Sequence, residues 1–315
     1  MLRLLARRLL MSVPILVIVT FVVFFLLEIA PGDPARLAAG GQAASAADVA
    51  EARHRLGLDE PLWTRYWHFI EGLFTGDLGQ SIFSGQPVLS AIAERAPVSL
   101  SLMAGALIVA MLIALPAGII AATRPGGIAD RVVMLISAGG VAMPNFLIGL
   151  LLVLVFALNL QIFPATGYVP FEQSPARWFQ SLVLPSVALG VAAAAEIARF
   201  LRASMLDVLD QDYIRTARAK GIGVRGVVGK HAMKNAFAPV LTVLGLQVRI
   251  LLGGTVVIEQ IFNLPGLGSL TVKAVFDRDY PIIQGVAISA ALVVVVANIL
   301  VDVAYGYLNP KLRAA

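Results

Sequence analysis

Of 315 residues, 59% are hydrophobic and only 14% are charged, against about 25% charged in an ordinary soluble domain, so the chain is read as a polytopic membrane protein. The absence of cysteine excludes disulfides, thiolate metal sites and cysteine catalysis. The net charge of +5 gathers mostly in loops on one side of the predicted spans, which argues against a nucleic-acid partner.

Met1 to Arg8 carries Arg3, Arg7 and Arg8, and an apolar run follows from Leu9 to about Ala30. That run exceeds the roughly 7 to 15 residues of a signal-peptide core, and no A-x-A site follows it. It is expected to be an uncleaved first span, with Pro14 tolerated in its first turns. From Pro31 to about Pro97 the chain is polar, with five basic and eight acidic residues. Helices are expected over Ala46 to Leu56 and Pro61 to Phe74. The second carries Leu62, Tyr66, Phe69, Ile70 and Leu73 on one face, with Trp63 and Trp67 on its flank, as in a cap resting on the membrane interface.

Further spans are predicted at about Val98 to Ala122, Val132 to Leu158, Ser181 to Ala198, Ala236 to Ile261 and Pro281 to Tyr307, each long enough for a hydrocarbon core of about 20 residues. The third contains a break at MPNF, Met143 to Phe146. Six spans put both ends on one side. The loops sharing that side hold fifteen Lys and Arg, and the opposite set holds eight over many more residues, so both termini are expected to be cytoplasmic.

The stretch from Asp212 to Thr242 is basic and punctuated by glycine in an otherwise apolar chain. Asp212 can cap a short helix through Tyr213, Ile214, Ala217 and Ala219, which Gly221 and Gly223 end before a second helical run near Val227. Ile214, Ala217 and Gly221 share a small-residue face open to a partner, with Arg215, Arg218 and Lys220 around the other side.

The run RTARAKG, Arg215 to Gly221, followed eighteen residues later by Pro239, resembles the cytoplasmic "EAA" loop of ATP-binding-cassette importer permeases in its peptide-importer form. Arg215 stands where the motif usually has glutamate, and Lys234 where a first proline often falls; both departures point to the peptide and nickel branch. APGDP (Ala30 to Pro34), LGLDEPL (Leu56 to Leu62), GDLGQS (Gly76 to Ser81) and RAPVSLSL (Arg95 to Leu102) resemble the first external loop of B-type peptide permeases. EQIFNLPGLGSL, from Glu259, resembles the segment after the fifth span, where Pro265, Gly266 and Gly268 suggest a re-entrant turn.

The resemblance implies an all-α permease of the type I ABC importer kind, with six transmembrane helices and a large extracytoplasmic loop. Its parts would be residues 1–30 as the cytoplasmic end and first span, 31–97 as the external cap, and 98–315 as the core, with a coupling loop over 199–236. It implies a bacterial cytoplasmic membrane, a second homologous permease, two cytoplasmic P-loop ATPase domains that bind ATP and Mg, and an extracytoplasmic substrate-binding protein. Tyr213, Arg215, Thr216, Ala217, Arg218, Ala219, Lys220, Gly221, Gly223 and Arg225 would couple to the ATPases. Di- or oligopeptides are the default cargo, with nickel chelates and glutathione as alternatives.

Ionisable residues inside spans are costly and mark function by default. Glu196 and Asp302 are expected to pair with Arg199 or Lys311 near the cytoplasmic ends. Asn145, Phe146, Arg249 and Glu259 are candidates for a translocation path, Glu259 also for a structural role, and Arg249 sits in LQVRILLGG where a small residue is expected, to face water or an anionic group on cargo. No catalytic motif is visible, and His54, His68 and His231 fall in polar loops. GVRGVVGKH lacks P-loop spacing, with His231 in place of Ser or Thr. The chain is therefore read as neither an enzyme nor a binder of its own cofactor or metal. A secondary transporter would need inverted repeats or a clear mid-membrane ion site, and a scaffold would leave the cap and loop without purpose.

Overall fold

A computed structural model describes residues 2–29 and 32–308. These residues form helices and no strand: α1 (Leu2–Ile29), α2 (Pro34–Ala38), α3 (Ala46–Arg55), α4 (Leu62–Thr75), α5 (Val88–Thr123), α6 (Ile128–Ala142), α7 (Asn145–Leu152), α8 (Pro175–Leu209), α9 (Asp212–Ala219), α10 (Val224–Gly226), α11 (Met233–Ile261), α12 (Leu267–Asp277) and α13 (Tyr280–Leu308). π-Helical stretches at Val153–Asn159 and Val227–Ala232 extend α7 and join α10 to α11. Five helices are long and apolar enough to cross a membrane, and a sixth span results if α6 and α7, bent by 101°, are one broken crossing. The predicted all-α, multi-span class is what the chain adopts.

Several boundaries differ from expectation. Because the arginines at the start are already helical, Pro14 lies well inside α1. α5 begins at Val88, since Val88, Ala91 and Ile92 fall at helical spacing and are buried. Its helix runs through Pro97. α8 starts at Pro175, where Ser174 caps it by accepting from the Arg177 amide; proline at the first helical position suits its fixed φ. α12 falls in a segment where no helix was expected.

The chain divides into two compact units. One is built on Ser99–Leu264 and the stretch from Val296 onward. Its centre is α8, in which fifteen residues are buried, among them Ala188, Gly190, Ala194, Ile197, Ala198 and Leu201. Apolar side chains gain little by leaving lipid for each other, so helices in a bilayer associate through close van der Waals contact at small residues. Around Gly190 a β-carbon would lie 2.7 Å from the Ala106 carbonyl and 2.9 Å from Val109 of α5. Gly140 of α6 would meet Ala195 at 3.2 Å, and Gly254 of α11 would meet Leu189 at 3.1 Å. Three neighbours thus reach α8 where a side chain is missing. Two buried hydrogen bonds add direction: Ser99 donates to Glu259 at 2.6 Å, and Gln247 donates to Glu196 at 2.6 Å.

The other unit holds Arg7–Val98 and Pro265–Val295. Here α4 stacks on α1 through Phe21, Phe24, Phe25, Trp63, Tyr66 and Phe69, with ring centroids 5.4 to 6.2 Å apart between the helices. Trp63 therefore also packs against α1, which the interface reading did not foresee. Arg65 donates to Glu28 at 2.7 Å across the same contact. Ser81 donates to the buried Asp279 carboxylate at 2.5 Å, and the Ile82 amide reaches its other oxygen at 3.3 Å. These bonds tie the turn before α5 to the turn before α13. α3 opens on a reciprocal capping box, in which the Ser45 hydroxyl, followed by its amide, holds the Asp48 carboxyl below its usual value.

Gly190→Val is expected to force α5 off α8, lowering stability by about 1–3 kcal/mol and depressing the thermal midpoint of the detergent-solubilised protein. Gly139→Ala, where an added β-carbon meets nothing within 4 Å, serves as the control and should leave the midpoint unchanged or slightly raised.

Candidate coupling loop and translocation face

α9 is short and strongly two-sided. Ile214 is fully buried and Ala217 nearly so, and both face this chain's own core. Ile214 belongs to the cluster formed by Met205, Val227, Ala232, Ala236 and Val240. This corrects the expectation of a small-residue face open to a partner. Ile214 is buried against the stretch Val227–Ala232 and the adjoining ends of α8 and α11, so that face is occupied from within. The exposed side carries Tyr213, Arg215, Thr216, Arg218, Ala219, Lys220 and Gly221, with Gly223 and Arg225 exposed just beyond.

The helix begins one residue earlier than capping by Asp212 implies. Gln211 is the N-cap and makes no side-chain cap bond. Asp212 accepts instead from Arg215 Nη1 at 3.3 Å, and Arg215 Nη2 reaches Asp210 at 3.0 Å. Arg215 is thus held along the helix start, and such exposed pairs orient more than they stabilise. Thr216 donates to the Asp212 carbonyl at 3.0 Å, and Asn235 of α11 donates to the Tyr213 hydroxyl at 2.9 Å.

Gly221 has φ +79°. The Ile222 amide donates to the Ala217 carbonyl at 3.2 Å and the Gly221 amide to the Arg218 carbonyl at 2.9 Å. That pair of bonds is a Schellman stop with glycine at the left-handed position, where a β-carbon would be strained. A cleft of about 420 Å³ lies beside the stop, lined among others by Pro125, Leu209, Asp210, Arg218, Ile222 and Val224.

The base of the loop is pinned by Asp130 and Arg202. Arg202 donates from Nε and Nη2 to the two oxygens of Asp130, the second at 2.7 Å, and Asp130 also accepts from the Gly126 amide at 2.9 Å. A two-pronged guanidinium contact fixes angle as well as distance, so the α5–α6 turn is locked to α8 shortly before α9. The expected Glu196–Arg199 pair does not form: Glu196 is engaged by Gln247, and Arg199 Nε is buried without a hydrogen-bond partner. Lys311, expected near Asp302, lies outside the described residues.

At the broken span, Met143 and Pro144 are extended, because a residue preceding proline is pushed out of the helical region. Asn145 then starts α7, half-buried, its amide 3.5 Å from where a β-carbon on Gly254 would stand. Phe146 is exposed. Arg249 is exposed in mid-helix on α11, and among the described residues it has no ion-pair partner. Glu259 departs from the predicted path set: it is wholly buried and accepts from Ser99. A carboxylate so enclosed lines no open surface. The described residues contain no cluster of three or more His, Cys, Asp or Glu able to hold a metal.

Residues 114–314 match the family described as "Binding-protein-dependent transport system inner membrane component", and residues 1–103 match the corresponding N-terminal family. The chain is 44% identical over 313 residues to the glutathione transport system permease protein GsiC of Escherichia coli (strain K12), covering 99% of each. It is 41% identical over 307 residues to a probable peptide ABC transporter permease protein, y4tP, of Sinorhizobium fredii, covering 98% of each. Among solved structures, a chain from inward-facing conformations of the MetNI methionine ABC transporter superposes with a TM-score of 0.57 at 17% identity, over 70% of this chain and 96% of that one.

Asp130→Ala should leave the Arg202 guanidinium without its acid and lower stability by on the order of 3 kcal/mol, read as a drop in thermal midpoint. The double variant Asp130→Ala with Arg202→Met should recover part of that loss, because no unpaired charge remains.

Proposed function

This chain belongs to the family of binding-protein-dependent transport system inner membrane components, and we propose that, as the permease subunit of an ABC importer, it carries peptide cargo and receives its driving force through the loop around Gly221. The observation that carries the coupling role is the two-sidedness of α9. Its inner face is buried at Ile214 and Ala217, Ile214 clustering with the end of α8, the π-helical stretch Val227–Ala232 and the start of α11, while its outer face is polar and exposed. A force applied to the outer face is delivered through the stretch Val227–Ala232 to α8 and α11, which pack on it, because a close-packed interior transmits strain.

In this reading the loop faces the cytoplasm, as the excess of Lys and Arg on its side supports. Two P-loop ATPase domains bind ATP and Mg, and their closure draws the coupling helices of this permease and a homologous second permease together. The cavity between the permeases then opens outward to a substrate-binding protein, and hydrolysis resets it. Residues 31–97, which lie in the unit holding Arg7–Val98, face the binding protein's side. Residues 98–315 include the core helices, with the coupling loop at 199–236. The chain itself performs no chemistry. Tyr213, Arg215, Thr216, Arg218, Lys220, Gly221, Gly223 and Arg225 form the contact, with Ala219 at its edge and Ala217 as the inner brace.

Glutathione is the second cargo reading, favoured by the 44% identity to GsiC; it is a tripeptide with a modified linkage, so both readings ask for a path that admits small, carboxylate-bearing peptides.

Gly221→Val is expected to abolish uptake and the transport-coupled ATPase activity while membrane insertion stays intact, because a branched side chain is strained at that φ. Gly221→Asn, which tolerates the left-handed region, should retain substantial uptake. Normal uptake by the valine variant removes the coupling role. Purification of the wild-type chain without any P-loop ATPase, together with uptake driven by an ion gradient, supports a secondary transporter instead.

A further inference from the structure

Arg249 lies about 24 Å along α11 from Met233 and about 18 Å short of Ile261 at 1.5 Å per residue. The hydrocarbon core is about 30 Å thick, so a side chain near its middle cannot reach either interface. Arg249 is nevertheless exposed. It sits in a stripe of exposed residues three or four apart, Thr242, Leu246, Arg249, Gly253, Val257 and Gln260, while the other side of α11 is buried at Val240, Val243, Gln247, Leu251, Thr255 and Ile258.

On α5 and α13 the comparable exposed positions hold aliphatic residues, with no charge among them. α5 presents Ile108, Leu112 and Ile120, and α13 presents Leu292, Val296 and Leu300, as lipid requires. A groove of about 550 Å³ between α5, α11 and α13 is lined by apolar residues such as Leu107, Met111, Leu244 and Val248. The Arg249 stripe is mixed, with Thr242, Arg249, Gly253 and Gln260 interrupting the exposed apolar residues Leu246 and Val257. A guanidinium held in hydrocarbon is costly enough that intramembrane arginines turn to water or to a counter-charge. Gly253, one turn on, leaves space beside the guanidinium. The Asn145 amide lies against the neighbouring Gly254.

We propose that Arg249 is a carboxylate-binding position in the translocation path, where its guanidinium takes the carboxylate of a peptide cargo as two parallel charge-assisted hydrogen bonds. This rests on the reading of the chain as a peptide importer's permease. Charge complementarity selects the occupant: an unblocked peptide brings a carboxylate, and among the described residues Arg249 has no acid paired with it. The open stripe keeps the site water-exposed, which suits a position that must release what it binds.

The chain's lack of cysteine allows a direct test. Arg249→Cys is assembled with both ATPases, the second permease and the binding protein in proteoliposomes, and ATP-dependent uptake of a labelled, unblocked tripeptide is measured. Uptake should fall at least about tenfold, as loss of a charge-assisted hydrogen bond implies. Arg249→Lys, which keeps the charge but loses the two-pronged fork, should fall between the cysteine variant and wild type. A membrane-impermeant trimethylammonioethyl thiosulfonate, which returns the positive charge without an N–H donor, should label the new cysteine and recover part of the uptake, whereas the sulfonatoethyl reagent should label it without rescue. The wild-type complex treated with each reagent controls for cysteines in the partners.

Undiminished uptake by the cysteine variant overturns the proposal, as does equal rescue by both reagents. Failure of either reagent to react shows that the position faces lipid or is sealed, and loss of the second permease from the purified complex assigns Arg249 to a subunit interface; both sink it. If the wild-type complex itself imports no peptide, the importer reading fails and the proposal falls with it.

Discussion

Close approach of helices at the small residues of α8 is the constraint on which the larger helical unit depends. Lipid tails compete as well for leucine as another leucine does, so burying large apolar surface gives these helices little reason to meet. What remains is contact at van der Waals distance, and that requires residues such as Gly190, Ala194 and Ala198 on α8 and Gly140 and Gly254 on its neighbours. Hydrogen bonds between buried polar groups, Ser99 with Glu259 and Gln247 with Glu196, then select one rotation for each helix. Such bonds in membranes average well under 2 kcal/mol, so their contribution lies in register as much as in strength.

The coupling loop inherits its rigidity from that packing. α9 has eight residues, too few to be a stable helix alone. It persists because Ile214 and Ala217 are buried at one end of the α8 and α11 core, because the Gly221 stop satisfies its last carbonyls, and because Tyr213 is held by Asn235. The Asp130–Arg202 pair holds the root of the loop on α8. The loop therefore has a stiff mounting and a free face, because Ile214 and Ala217 lie on the buried side of α9 and its charges on the other. At position 221 glycine is a conformational requirement, because the helix stop needs a left-handed φ.

The same division between packed and open faces separates the candidate path residues. α11 turns Gln247 and Glu259 inward, where Gln247 donates to the Glu196 carboxylate and Glu259 accepts from the Ser99 hydroxyl, and turns Arg249 outward. These three residues look alike in sequence, as polar interruptions of an apolar run. Their different fates come from helical phase against α5 and α8, a quantity set by which small residues face which neighbour.

Much was legible without coordinates. Length of the apolar runs, the scarcity of charge and the distribution of Lys and Arg determine a multi-span membrane chain, because transfer of charge into hydrocarbon is decided residue by residue. The short helix through Ala219 and its stop at Gly221 were equally readable, since stop chemistry is local, although its cap is Gln211 and not the expected Asp212. Tertiary structure alone decided that Ile214 and Ala217 face inward, that Val88 rather than Val98 opens α5, that Glu196 bonds Gln247 instead of Arg199, and that Glu259 is sealed while Arg249 is open. Each of those outcomes depends on a partner distant in the chain, and periodicity along one helix specifies a face without saying what will cover it.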